Sequence, residues 1–173
     1  MDLGLTDEQK AIQQMARRFA RERLLPTYLA REKAGVFDRV LLKEMGDIGL
    51  LGAGMPAEYG GLELEELTVG LIAEECAYGD FGIGNFTLMG SLMGRIIHDY
   101  ADAEVARECL PKMAAGEFIV ALGLTEPRGG SDAANLQLRA VKDGDDYVLN
   151  GEKTGITSAT IGDAVVLFAR TGD

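Results

Sequence analysis

The chain has 173 residues, 47% of them hydrophobic, with 17 Lys and Arg against 28 Asp and Glu and a formal net charge of −11. That is enough apolar material for one large or two small domains, while the acidic balance excludes nucleic acid or an anionic membrane surface as the main partner, since both require excess positive charge. The opening MDLGLTDEQK has no basic segment followed by an apolar run, and no run of about 18 apolar residues occurs anywhere, so no export signal and no bilayer span is expected.

Thr6, with Gln9 three residues on, predicts a capping box, and Ile12, Met15, Ala16 and Phe19 recur at helical spacing after it. Pro26 is expected to stop or kink that helix. A second amphipathic run carries Val40, Leu41, Met45, Ile48 and Leu51 and ends in Gly52 and Gly54; Met55 to Gly61 reads as a loop. Helices are expected over about 66–78, 85–100 and 103–115. Gly90 and Gly94 in the second suit close packing, and Gly116 suits the residue just past the third. From Phe118 the rhythm becomes strand-like: 118–124 is β-rich, Leu136 to Val141 alternates, Asp143-Gly-Asp145 signals a hairpin, and strands are expected at 147–149 and 164–169. The fold class is therefore α+β, with a helical domain over 1–116 and an antiparallel β domain beginning at 117–173. Only about four strands are present, few for a closed β domain, and the last residues, Thr171-Gly-Asp173, read as the start of another turn.

Cys76 and Cys109 lie outside any CxxC spacing and predict no disulfide. With His98 as the single histidine there is no Ser–His triad and no metal-ligand cluster, so no metal is expected. Gly52-Ala-Gly-Met-Pro-Ala57 fits a dinucleotide fingerprint by letter, but a helix precedes it and a loop follows, so it is rejected. The Gly129-Gly130-Ser131 turn leaves a strand and exposes successive backbone N–H groups. Such a nest suits a pyrophosphate, and its glycines allow close approach.

Three segments then carry a resemblance. Thr125-Glu-Pro-Arg-Gly-Gly-Ser-Asp132 resembles the TEPxxGSD signature of acyl-CoA dehydrogenases, Tyr147-Val-Leu-Asn-Gly-Glu-Lys153 with Ile156-Thr157 resembles their YxLNGxKxxIT stretch, and Pro56-Ala-Glu-Tyr-Gly-Gly61 resembles their PEEYGG loop. The opening helix and Phe168-Ala-Arg-Thr171 also match, so the resemblance covers essentially the whole chain in family order. It implies an N-terminal helical domain followed by the first strands of an antiparallel β-barrel domain, with the C-terminal helical domain missing from these residues. It implies FAD as cofactor, contacted by Leu122, Leu124, Thr125, Ser131, Gly155 and Thr157, with Ser131 also on the acyl-CoA path.

Two departures stand out. The position before Ile156, usually aromatic in the family and covering the flavin's outer face, is Gly155; the position usually Gly after Thr-Glu-Pro is Arg128, which could pair with Asp132, reach a phosphate or lie in solvent. The small residue before Ile156 is similar to the branch acting on cyclohexane- or cyclohexenecarboxyl-CoA. Lys153 is expected as a solvated strand lysine, with a phosphate contact as the alternative, His98 as a surface residue stabilised by a helix C-terminus, and Glu63, Glu65 and Glu66 as a solvated helix start.

The resemblance implies loss of an α-proton to a carboxylate and transfer of hydride from the β-carbon to the flavin, giving a 2,3-enoyl-CoA. The base belongs to a C-terminal helical domain, so no catalytic residue is expected in this chain. The 173 residues alone are expected to be inactive and to bind FAD poorly. An electron-transferring flavoprotein as acceptor, a homo-oligomer (tetramer or dimer) for the full-length protein and a cytoplasmic location complete the expectation. Other readings keep the fold: a non-catalytic binding module, an acyl-CoA oxidase or a flavin monooxygenase.

Overall fold

Helix α1 (Asp7–Phe19) starts at the expected capping box in the computed structural model, which describes residues 4–172. The Thr6 hydroxyl accepts from Gln9 N–H at 3.1 Å, and the Gln9 side chain accepts from Thr6 N–H at 2.9 Å. Pro26 does not end the helical path. A π-helical stretch (Ala20–Leu24) and a 3₁₀ turn (Leu25–Thr27) carry the chain past it into α2 (Tyr28–Ala34), a change of winding that accommodates a ring with no N–H to give. Arg31 on α2 locks this bend: its guanidinium donates to the Leu24 carbonyl, to the Thr27 hydroxyl and to Asp80 at 2.6 Å.

Helix α3 (Arg39–Asp47), capped by Asp38, buries Leu41, Leu42 and Met45 but leaves Val40 exposed. Helices α4 (Glu66–Gly79), α5 (Phe81–Tyr100) and α6 (Ala103–Ala114) follow. Helix α5 starts four residues earlier than the periodicity suggests, because the Asp80 carboxylate caps it through Ile83 N–H at 3.0 Å. Gly90 and Gly94 do serve close packing. A Cβ at Gly90 would lie 2.8 Å from the Leu51 carbonyl oxygen, and one at Gly94 2.8 Å from Met55 Cγ. Helix α6 ends as expected at Gly116, whose φ of +73° lets its N–H reach the Met113 carbonyl while Glu117 N–H closes on Lys112 at 2.8 Å. The chain divides into two units after Phe118. The core of the first gathers Leu24, Leu42, Met45, Leu50, Ile72 and Leu110.

The second unit holds strands β1 (Val120–Gly123), β2 (Arg139–Asp143), β3 (Asp146–Asn150) and β4 (Ala164–Leu167). Strands β2 and β3 form the expected antiparallel hairpin, turning at Gly144 with φ +62°. The other pair departs from the antiparallel expectation: β1 and β4 run parallel, with Val120 opposite Ala164. The intervening 124–163 segment is long enough to carry the chain back to its starting end, as a parallel pair requires. Among the described residues no helix is long and apolar enough to cross a membrane. The turn expected at the chain's end lies partly outside them, at Asp173.

Candidate functional site

Strand β1 delivers Leu122, Leu124 and Thr125. The carbonyls of Ile119 and Gly123 accept from Ala164 and Phe168. By the alternation of the ladder, the backbone groups of Leu122 and Leu124 therefore face the edge away from β4. The chain then folds back through Pro127 and Arg128, with Gly129 N–H on the Glu126 carbonyl at 2.9 Å. Beyond that turn the N–H groups of Gly130, Ser131 and Asp132, and the exposed Ser131 hydroxyl, make no hydrogen bond among the described residues. Gly130 sits against Thr125, where an added Cβ would lie 3.1 Å from the threonine Oγ1.

A second segment lies beside this turn because Thr154 N–H donates to the Thr125 carbonyl at 2.9 Å. It contains Gly155, at φ +61° with nothing within 4 Å of a Cβ built there, and Thr157, which is exposed. Thr157 lies outside the strands and opens a turn in which Ala159 N–H reaches the Ile156 carbonyl at 3.2 Å. Four of the six expected residues, Thr125, Ser131, Gly155 and Thr157, thus lie on these two joined segments, with Leu122 on β1 and Leu124 just after it. Unpaired N–H donors beside glycine-cleared space suit a ligand carrying anionic oxygens and ring acceptors.

The residues that hold this arrangement escape a single-sequence reading. Lys153 is not a solvated strand lysine. Its side chain is 7% exposed, as is that of Glu126, and its Nζ lies 2.9 Å from Glu126 Oε1 and 3.0 Å from the Leu124 carbonyl. The Glu126 carboxylate also accepts from Leu138 N–H at 2.8 Å and Gln137 N–H at 2.6 Å. The Leu138 bond first, then Lys153 and Gln137, pull its pKa down to about 2. The one available signal was a charged pair inside two otherwise turn-like motifs. Arg128 lies exposed, and Asp132 is taken by Asn135 at 3.3 Å. His98 is exposed, its ring edge-on to Tyr59 at 5.8 Å, and Glu65 and Glu66 are engaged by Gln9 and Arg95.

The six residues line neither of two hollows, one in each unit. In the β unit a shallow hollow of about 380 Å³ lies between Ala121, Gly123, Lys153, Ile156, Val165 and Leu167. The helical unit has an apolar hollow of about 180 Å³ lined by Leu64, Val69, Leu88, Leu92 and Arg95. Among the described residues no group of side chains could hold a metal ion.

Comparison with known proteins matches residues 6–117 to the family described as acyl-CoA dehydrogenase, N-terminal domain, and residues 121–173 to acyl-CoA dehydrogenase, middle domain. Benzylmalonyl-CoA dehydrogenase of Aromatoleum aromaticum is 36% identical over 100% of this chain and 46% of that protein. Among solved structures, glutaryl-CoA dehydrogenase of Mycobacterium smegmatis in complex with FADH2 superposes with a TM-score of 0.91 at 35% identity, over 98% of this chain and 44% of that one. A chain from the electron transferring flavoprotein of Acidaminococcus fermentans gives 0.87 at 39% identity, over 99% and 46%. The chain spans somewhat less than half the length of these relatives.

Proposed function

Since the chain belongs to the acyl-CoA dehydrogenase family, a flavin-dependent family, we propose that it supplies the flavin-facing half of an enzyme that dehydrogenates an acyl-CoA thioester to the 2,3-enoyl-CoA. The observation that carries this reading is the Thr125–Asp132 turn, with its row of unpaired N–H donors tied beside Gly155–Thr157. FAD, when bound, supplies the hydride acceptor. Leu122, Leu124, Thr125 and the Thr157 hydroxyl would hold its ring, and Ser131 with the adjoining N–H groups would hold its pyrophosphate. Ser131 also borders the acyl-CoA path. The carboxylate base is assigned, as in the family, to residues outside these 173; Glu126 is buried and fully engaged, and the exposed Asp132 carboxylate accepts from Asn135. The domain division proposed is 1–116 and 117–173. A homo-oligomer, an electron-transferring flavoprotein as acceptor and a cytoplasmic setting belong to the same reading.

The test is flavin retention, read from visible absorbance after gel filtration. Ser131→Ala and Thr157→Ala are each expected to weaken binding by one hydrogen bond, about 0.5–1.5 kcal/mol. Equal retention in both single variants and in the double variant overturns the assignment.

A further inference from the structure

We propose that Glu126 and Lys153 are positioning residues that set the Thr125–Ser131 turn and the Gly155–Thr157 segment in fixed relation to each other. This rests on the flavin reading above and deepens it, since neither side chain is expected to touch the cofactor.

Both segments are loops, and loops by default are mobile and surface-bound. Among the described residues a single backbone bond joins them directly, Thr154 N–H to the Thr125 carbonyl. One such bond defines a pivot rather than a fixed geometry. Lys153 supplies the missing constraints. Its ammonium donates to the Leu124 carbonyl and to Glu126, the two residues flanking Thr125, so the pivot is gripped on both sides. Glu126 in turn is tied by Gln137 and Leu138 N–H to the chain entering β2. The second segment is tied to that same point, because Gly151 lies against Leu138, with a built Cβ only 2.6 Å from Leu138 Cα. The contacts close a loop: Leu138 to Glu126, Glu126 to Lys153, and Lys153 through Gly151 back to Leu138.

Burial gives this loop its stiffness. With both side chains 7% exposed, water competes poorly for the bonds, and charged hydrogen bonds in such surroundings are short and directional. A buried ion pair is a weak means of adding stability, since an apolar pair of similar volume often does as well. What an apolar pair cannot do is fix direction at one carbonyl oxygen and two N–H groups together. The pair stands behind the row of unpaired donors, where direction matters to a bound ligand and stability alone does not.

The experiment compares wild type, Lys153→Met, Lys153→Arg and Glu126→Gln in the full-length protein. FAD affinity is measured by titration, the environment of the ring by the bound flavin's visible spectrum, and local order by amide hydrogen exchange at 154–157 in the ligand-free protein. The β2–β3 hairpin amides serve as the fold control. Lys153→Met is expected to weaken FAD binding by about tenfold or more, to move the bound spectrum toward that of free flavin, and to speed exchange at 154–157 with the hairpin unchanged. Glu126→Gln is expected to do the same. Lys153→Arg should recover part of the affinity, because a guanidinium can still donate to both oxygens. If Lys153→Met lowers protection in the hairpin too, the series decides: FAD affinity that simply follows hairpin protection across all three variants, with no separate change at 154–157, means a structural role only and overturns the proposal. Unchanged affinity and spectrum in folded Lys153→Met and Glu126→Gln overturn it as well. A wild-type protein that takes up no FAD removes the flavin reading itself, and this proposal with it, a result distinct from either.

Discussion

The two units of this chain are held together by different means. In the helical unit, large apolar side chains such as Leu42, Met45, Leu50, Met55, Ile72 and Leu110 are at most 2% exposed, and glycines let the helices approach closely around them. In the β unit the buried apolar set is short (Ile119, Val120, Ala121, Leu138 and Ala140), and all of β3 is exposed, with Tyr147, Val148 and Leu149 each more than half open. There the Glu126–Lys153 pair and the Asp163 carboxylate, which accepts from Ile119 N–H at 2.8 Å, hold the loops and strand ends. Apolar burial is indifferent to direction; hydrogen bonds to carboxylates are not. The unit proposed to bind the ligand is built from the directional kind.

The sharpest way to break this contrast is pH. Glu126 has a folded pKa of about 2, below its ordinary 4.5, so its contribution is complete above about pH 4.5 and is lost as pH falls through about 2. Cys76 on α4 is the opposite case: burial pushes its thiol up to about 12 from 9.0, so the helical unit's gain is complete below pH 9 and lost as pH rises through 12. Glu75 and Glu44, lowered by Arg17 and Arg23, add a smaller acid-side loss to the helical unit. Hydrogen exchange across pH should therefore show the β unit opening first in acid and the helical unit first in alkali. The same order at both ends would erase the distinction. Next in size is Leu42→Ala, 2% exposed in the helical core, expected to cost that unit about 2–5 kcal/mol by thermal or denaturant unfolding while β2–β3 amides keep their protection. Smallest is Val148→Thr on β3, opposite Val141 and 54% exposed, expected to shift stability by no more than about 0.5 kcal/mol. A loss of several times that would mean the β3 face is covered in the working protein.

What the sequence made legible follows the same division. The Thr6–Gln9 box, the Gly116 terminus and the Gly144 hairpin turn were all readable, because each is decided within about five residues by which backbone angles and caps the side chains allow. The order of helices before strands was readable from hydrophobic period alone. The parallel β1–β4 pair was not: strand partners are chosen by how the chain returns, and alternation along one strand carries no record of its neighbour. Nor was Lys153, whose partner Glu126 lies 27 residues away. A lone lysine in a polar stretch is usually solvated, and only the folded loop brings a carboxylate and a carbonyl to it. Gly155 departs from the family pattern in sequence, but its left-handed backbone is set by the fold.

That backbone restricts which side chains residue 155 can carry. At φ +61° an aromatic side chain sits in a region that L-residues other than glycine avoid, at a cost of about 1–2 kcal/mol. Space is not the obstacle, since nothing lies within 4 Å of the Cβ position. An aromatic placed here by one substitution is therefore strained unless the neighbouring backbone turns over.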